Sequence, residues 1–260
     1  MTIQKFTEAA QQLLARRAPE VKAYGLADEI KPTTVEEALL VQQEMIKLRS
    51  DSVLGWKCLL PLAEDKLIIG PIFSDTLQQG EQCKLMKDNG KVRVEPEIVF
   101  ILNKELPARD SDYSETEIND AIGSCHMALE LIQKRFADDA DIEFPEVLAD
   151  GLSNQGLFIG PKIDKSLAFT ASKFELCFKQ TDGNGDISEQ VFNGVHPNLL
   201  PLLPIYWAIN FMSKRGTSFK KGEMFITGSY AGVVELDFDK QTDINYDELG
   251  NYRLIFKQIG

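Results

Sequence analysis

The sequence predicts an α+β protein, on three observations. The first fifty residues carry helical spacing, the chain from about Ser52 breaks into short apolar runs punctuated by Gly and Pro, and few helices interrupt those runs. Helices first and strands afterwards, with few crossovers between them, argue against a doubly wound parallel sheet. Phe6, Ala9, Ala10, Leu13 and Leu14 recur at helical intervals and open the chain with an amphipathic helix. A second helix starts at Thr34, where Glu37 completes a capping-box pattern and Pro32 stands just outside. The clearest strands are LIIGPIF, VRVEPEIVFIL, GLFIG, FELCFKQ, EMFITG and NYRLIFKQ. A third helix is expected from Ser114, with Glu117 as its box partner and Ile118, Ala121, Ile122 and Cys125 on one face. A fourth is expected to start after Pro204 and stop at Gly216. Residues 1–50 then form a helical segment packed on a β-rich core of 51–260, a single globular unit.

Composition narrows the function. A chain of 260 residues buries enough surface to fold without staples. Its 40 acidic against 28 basic residues leave a formal charge of −12, which repels nucleic-acid backbones and anionic membranes. No stretch approaches a membrane span, and the N-terminal residues have no signal-peptide pattern. Four scattered cysteines without a C-x-x-C pair suit a reduced, cytoplasmic setting. Two histidines rule out a histidine-rich metal site, and G-x-S-x-G, G-x-G-x-x-G and P-loop patterns are all missing.

The acidic residues hold the chemistry. Asp182, Asn184 and Asp186 begin like a calcium loop, but Ile187 and Asn193 stand where Gly and Glu are needed, so a hairpin turn is expected there. In VRVEPEIVFIL a strand puts Val92, Val94, Ile98 and Phe100 on one face and Arg93, Glu95 and Glu97 on the other. Two carboxylates at i and i+2 repel unless a cation lies between them, and hard oxygen ligands suit Mg²⁺ or Mn²⁺. A solvent-facing polar strand would look the same. Pro96 makes the strand an edge or locally irregular. Glu130, in the apolar run ALELI, needs a metal, a raised pKa or a partner. The partner is Arg135 or Lys57, and if the helix continued, His126 and Glu130 would form a ligand pair. Lys57, between Trp56 and Cys58, either snorkels to solvent or sits where desolvation tunes it for proton transfer.

Taken in order, VLGWKC, VEPEIVFIL, ALELIQKRF, LADGLSNQG and the closing PIYWAINFMSKRGTSFKKGEMFITGSYAG resemble the fumarylacetoacetate hydrolase superfamily, specifically its branch of 2-keto-4-pentenoate hydratases and 4-oxalocrotonate decarboxylases. The resemblance runs over nearly the full chain. It implies a mixed sheet rolled into a barrel-like core and one divalent metal, Mg²⁺ or Mn²⁺, held by Glu95, Glu97 and Glu130. It implies proton transfer by Lys57, a substrate-facing turn with Asp150 and Ser153, and substrate contacts from Arg135, Thr227, Gly228 and Ser229. A small 2-keto acid is the implied partner, chelated through its carboxylate and 2-oxo group, and a homo-oligomer is implied. Water added at C4 makes a hydratase; loss of CO₂ through the same dienolate makes a decarboxylase. An acylpyruvate-type hydrolase calls for a His-Glu pair near the N-terminus, and no His precedes His126. Departures at Leu60, Gln133 and Gly151 imply a narrowed pocket at Leu60 and keep a non-catalytic binding protein of the same fold as a further reading.

Overall fold

Two helices, α1 (Ile3–Ala15) and α2 (Val35–Leu48), open the computed structural model, which describes residues 3–260. α1 buries Phe6, Ala9, Ala10 and Leu13, and α2 buries Ala38, Val41, Gln42 and Met45 in the same core. Thr34 caps α2 by accepting from the Glu37 N–H. Glu37 in turn accepts from the Thr33 N–H at 2.8 Å, so the box closes one residue early.

The strands then begin: β1 (Val53–Leu59), β2 (Ile68–Phe73), β3 (Leu77–Gln78), β4 (Gln82–Leu85) and β5 (Val92–Leu102). The next helix, α3 (Glu115–Ala121), has the complete Ser114–Glu117 capping box. It does not reach Cys125, as the periodicity suggested. β6 (Ile122–Ile132) starts at the next residue and pairs along its length with β5, so strand pairing overrides the local helical spacing. The chain continues through α4 (Phe144–Ala149), β7 (Asn154–Ile163), α5 (Lys165–Thr170), β8 (Lys173–Thr181) and β9 (Ile187–Val195). The β8–β9 turn is the expected hairpin: Asp182 Oδ1 accepts from the N–H groups of Asn184 and Asp186. α6 (Leu202–Ser213) starts two residues before Pro204 rather than after it. The first turn of a helix tolerates proline because its N–H groups have no partner within the helix. β10 (Met224–Ile226), β11 (Val234–Leu236), β12 (Gln241–Asn245) and β13 (Asn251–Gln258) complete the chain.

Eight strands form one mixed sheet in the order β2-β1-β10-β5-β6-β7-β3, with β11 also on β5; five form a second, β4-β13-β12-β8-β9. Pro96 lies mid-sheet, not on an edge. β10 pairs with β5 at Val99–Ile101 and β11 pairs at Val92–Val94, and Pro96 falls in the gap between them. There its carbonyl accepts from Tyr230 N–H, and its missing donor is not needed.

Each face of the eight-stranded sheet has its own core. Val92, Val94, Ile98 and Phe100 join Trp56, Cys58 and the buried residues of α1, α2 and α6 in the main cluster. The opposite face holds a smaller plug of Ile72, Val99, Ala128, Leu157, Ile159, Met224 and Ile226. The sheet curls round this plug, giving the α+β architecture with a barrel-like mixed sheet that the sequence predicts. Strand alternation places Lys57, Glu95, Glu97 and Glu130 on the plug's face. Among the described residues, no helix is long and apolar enough to cross a membrane.

Candidate metal centre

β5 and β6 are antiparallel neighbours in a register that sets Glu95 opposite Glu130 and Glu97 opposite Ala128. Glu97 therefore stands diagonal to Glu130 on the same face. One oxygen from each of the three carboxylates lies within 4.8 Å of the others. Glu130 is 0% exposed and Glu97 2%. Burial, followed by the Glu130 charge, pushes the Glu95 carboxyl up to about 7. The same two causes raise Glu97 well above the ordinary carboxylate range.

Neighbouring elements aim these groups. Lys57 projects from β1, and its Nζ donates to Glu130 Oε1 at 2.6 Å and to the Leu152 carbonyl at 3.2 Å. Burial acts to lower the Lys57 pKa, but the carboxylates of Glu130 and Glu95 outweigh it and the net shift is upward. Asn154, the first residue of β7, donates through Nδ2 to the same Glu130 oxygen at 2.9 Å. Gly228 N–H donates to Glu97 Oε2 at 2.6 Å. Glu130 Oε2 is buried and has no partner among the described residues.

This arrangement fits a hard divalent cation. The donors are all carboxylate oxygens, one of them is buried with nothing to bind, and their mutual repulsion adds to the larger cost of burying them. Glu95, Glu97 and Glu130 are the residues that could hold such an ion.

Two chambers that share lining residues adjoin the centre. The inner one, about 230 Å³, is lined by the three glutamates with Lys57, Leu59, Ile68, Ile226, Gly228 and Ser229 among others. The outer one, about 470 Å³, shares Lys57, Glu95 and Leu152 with it and adds Arg93, Ser153, Lys134 and an apolar wall including Ile132, Phe136 and Val147. Leu60 lines neither chamber. Its N–H donates to Asn198 Oδ1 and its side chain faces a separate surface groove, so the narrowing expected at Leu60 does not occur there; Leu59 forms the wall.

The other expected site residues divide. Gly228, Ser229 and Ser153 reach the chambers. Thr227 is 1% exposed and turns to His196, whose Nε2 lies 3.3 Å from its Oγ1. Burial lowers the His196 pKa to about 4, so the imidazole is neutral. Asp150 and Arg135 do not reach the cavity: both are buried and pair with each other, Arg135 Nη2 standing 2.8 Å from Asp150 Oδ2. The Glu130–Lys57 ion pair foreseen as one alternative is formed, whereas the Glu130–Arg135 pair is not. His126 lies four strand residues from Glu130, about 13 Å along β6, and approaches Gly160 O and Ser124 Oγ instead. Sequence reasoning missed Asn154 and the Leu152 carbonyl. Both lie in the LADGLSNQG motif, so the signal was the motif's position rather than any acidic or basic side chain.

The curled mixed sheet is a fold shared with solved structures of the fumarylacetoacetate hydrolase class. The chain superposes on 4-oxalocrotonate decarboxylase from Pseudomonas putida G7, a structure with magnesium and adipate, at a TM-score of 0.78 with 17% identity and 99% of each chain covered. A protein assigned to the fumarylacetoacetate hydrolase family in Yersinia pestis CO92 matches at 0.53 and 19% identity, over 81% of this chain and 95% of that one. In sequence, the chain is similar to the 2-keto-4-pentenoate hydratase of Paraburkholderia xenovorans strain LB400, 24% identical over 270 residues, 99% of this chain and 97% of that protein. The hydratase of the same name from Paraburkholderia phymatum is 26% identical over 194 residues, 73% of this chain and 70% of its own. No protein-family model matches the chain. The sequence relatives named here and the decarboxylase structure carry the names of the branch that the motifs resemble.

Proposed function

We propose that the chain is a metal-dependent lyase that adds water to a short unsaturated 2-keto acid, of the 2-hydroxypenta-2,4-dienoate or 2-keto-4-pentenoate type. The observation that supports this best is the bare Glu130 Oε2 amid three converging carboxylates, with Lys57 bonded to the same glutamate. The names of the hydratases that the chain resembles end to end support the same reaction class. Mg²⁺ or Mn²⁺ on Glu95, Glu97 and Glu130 would, when bound, supply Lewis-acid polarisation of the substrate's 2-oxo group.

The chain's own residues supply the rest. Two of the three Lys57 Nζ donors are engaged, by Glu130 and by the Leu152 carbonyl, and the third is available to the substrate. We assign Lys57 the proton transfer: it passes a proton to the carbon chain and recovers one from the water whose hydroxyl joins C4, so the sum is addition of H₂O. Leu59, Ile68 and Ile226 wall the inner chamber and exclude bulk water from the lysine. Gly228 orients Glu97, while Ser153 and Ser229 face the substrate space. Asp150 and Arg135 hold the turn behind the site, and Thr227 positions its loop through His196.

Titration calorimetry of the metal-stripped protein with Mg²⁺ and Mn²⁺, followed by turnover of 2-hydroxypenta-2,4-dienoate, tests this reading. Absence of metal binding sinks it.

One observation favours a decarboxylase of the 4-oxalocrotonate type. Arg93 lines the outer chamber two residues along β5 from Glu95, where the far carboxylate of a dicarboxylic 2-keto acid would meet a guanidinium. Its Nη1 is held by Asp88 at 3.0 Å, and its buried Nε makes no hydrogen bond among the described residues but lies 3.4 Å from Glu235 Oε1 in an ion pair. Release of CO₂ from such an acid, with no hydration of the monocarboxylate, would establish that alternative. The reading also carries a homo-oligomer, which light scattering decides.

A further inference from the structure

The turn that joins α4 to β7 holds three successive residues in the left-handed region: Gly151 at φ 81°, Leu152 at 57° and Ser153 at 63°. Glycine takes that conformation freely, whereas leucine and serine do so against Cβ strain, so surrounding structure has to impose it. The turn's outputs reach the metal centre. Leu152 O accepts from Lys57 Nζ, and Asn154 Nδ2 donates to Glu130 Oε1.

Backbone bonds from Leu152 N–H to Val147 O and from Gln133 N–H to Ser153 O hold parts of the turn, and a further restraint comes from the N-terminal segment. Arg17, two residues beyond α1, donates through Nη2 to Asp150 O at 2.6 Å and through Nη1 to Asn154 O at 3.0 Å. Those two carbonyls bracket the three left-handed residues. A planar guanidinium spans them as one rigid fork, which a lysine ammonium cannot do. Arg17 is fitted to this place: it lies over the Phe73 ring, 5.7 Å from the centroid, and a Cβ on Gly151 would come within 3.1 Å of its Nη2. Arg135 adds one bond to the near end, from Nη2 to Asp150 O at 3.2 Å, but none to the far end.

We infer that Arg17 is a positioning residue for the carboxylate–lysine centre: by clamping Asp150 O to Asn154 O it holds the strained turn that aims Lys57 and Asn154 at Glu130. This rests on the function proposed above for that centre. The N-terminal segment is then a working part of the site as well as packing.

Hydrogen–deuterium exchange of peptides covering 150–154, Mn²⁺ affinity and steady-state kinetics, on wild type, Arg17→Met and Arg17→Lys, test the clamp. The expected result in Arg17→Met is faster exchange confined to 150–154, weaker Mn²⁺ binding, and a kcat lower by about 10–100-fold with KM little moved, the size of loss that small misplacements cause. Arg17→Lys should recover part of this, and guanidinium ion should restore kcat in Arg17→Ala but not in Lys57→Met. Unchanged exchange at 150–154 with unchanged kcat in both variants overturns the inference, and so does exchange that rises equally across the whole chain. If Arg17→Met does not fold, Arg17→Lys and the guanidinium rescue decide. A wild type that neither binds Mn²⁺ nor turns over a 2-keto acid removes the proposed function, and exchange at 150–154 then still decides the clamp.

Discussion

Glu95 on β5 and Glu130 on β6 stand directly opposite each other across an antiparallel pair, at the position where like charges destabilise a sheet most. With Glu97 two residues along β5 from Glu95 and diagonal to Glu130, the folded chain gathers three carboxylates on one face.

The first prediction follows from that relationship. The Glu95 carboxyl is raised to about 7 from its ordinary value of 4.5, so between those pH values the native state binds more protons than the unfolded state. Stability of the metal-free protein therefore falls as pH rises through that window. Thermal melts in chelator at pH 5, 6, 7 and 8 should show a declining midpoint, and added Mg²⁺ should reverse most of the decline. A midpoint in chelator that is flat or rises from pH 5 to 7 would contradict the coupling.

Glu97→Gln keeps the shape and removes one charge. Metal affinity should drop by more than the ~10–100-fold typical of losing an outer-sphere partner, and activity should vanish while circular dichroism stays native. The metal-free midpoint should rise, because one source of repulsion is gone. Wild-type metal affinity in this variant would show that the centre is elsewhere.

Lys57→Met should leave Mg²⁺ binding measurable by calorimetry and remove proton exchange at the substrate. The rate loss expected for a positioned acid–base group is about 10²–10⁴-fold. Deuterium incorporation followed by NMR reads this directly, and exchange retained at the wild-type rate would assign the proton to another group.

Asp150→Asn breaks a pair in which both partners are buried, Arg135 at 0% and Asp150 at 1% exposure. Leaving the guanidinium without its counter-charge should cost about 3–5 kcal/mol. Urea unfolding should show that loss at any metal concentration, which separates it from the effects at the metal centre.

Much of the architecture was legible because it is local. Alternation in VRVEPEIVFIL placed Glu95 and Glu97 on one face, and Ser114–Glu117 marked a real helix start. The segment after Ala121 was misread because Ile118, Ala121, Ile122 and Cys125 are spaced for a helix, and only pairing with β5 turns the later ones into a strand. Asp150 and Arg135 carry charges and were expected to face the substrate. Whether such a pair points into a cavity or away from it depends on a buried partner 15 residues distant, which spacing does not encode. Asn154 and Leu152 O act through an amide and a backbone carbonyl, groups that advertise no chemistry in a sequence.

The bond from Arg17 to Asn154 O spans 137 positions, and that separation also sets an order in time. During synthesis the arginine exists long before its acceptors do, roughly 7–27 s at about 5–20 residues per second. α1 has only 13 residues and is too short to be a stable helix by itself in water. α1 is therefore among the last elements to settle, and the turn that Arg17 grips stays loose until the strands on which α1 packs have been made.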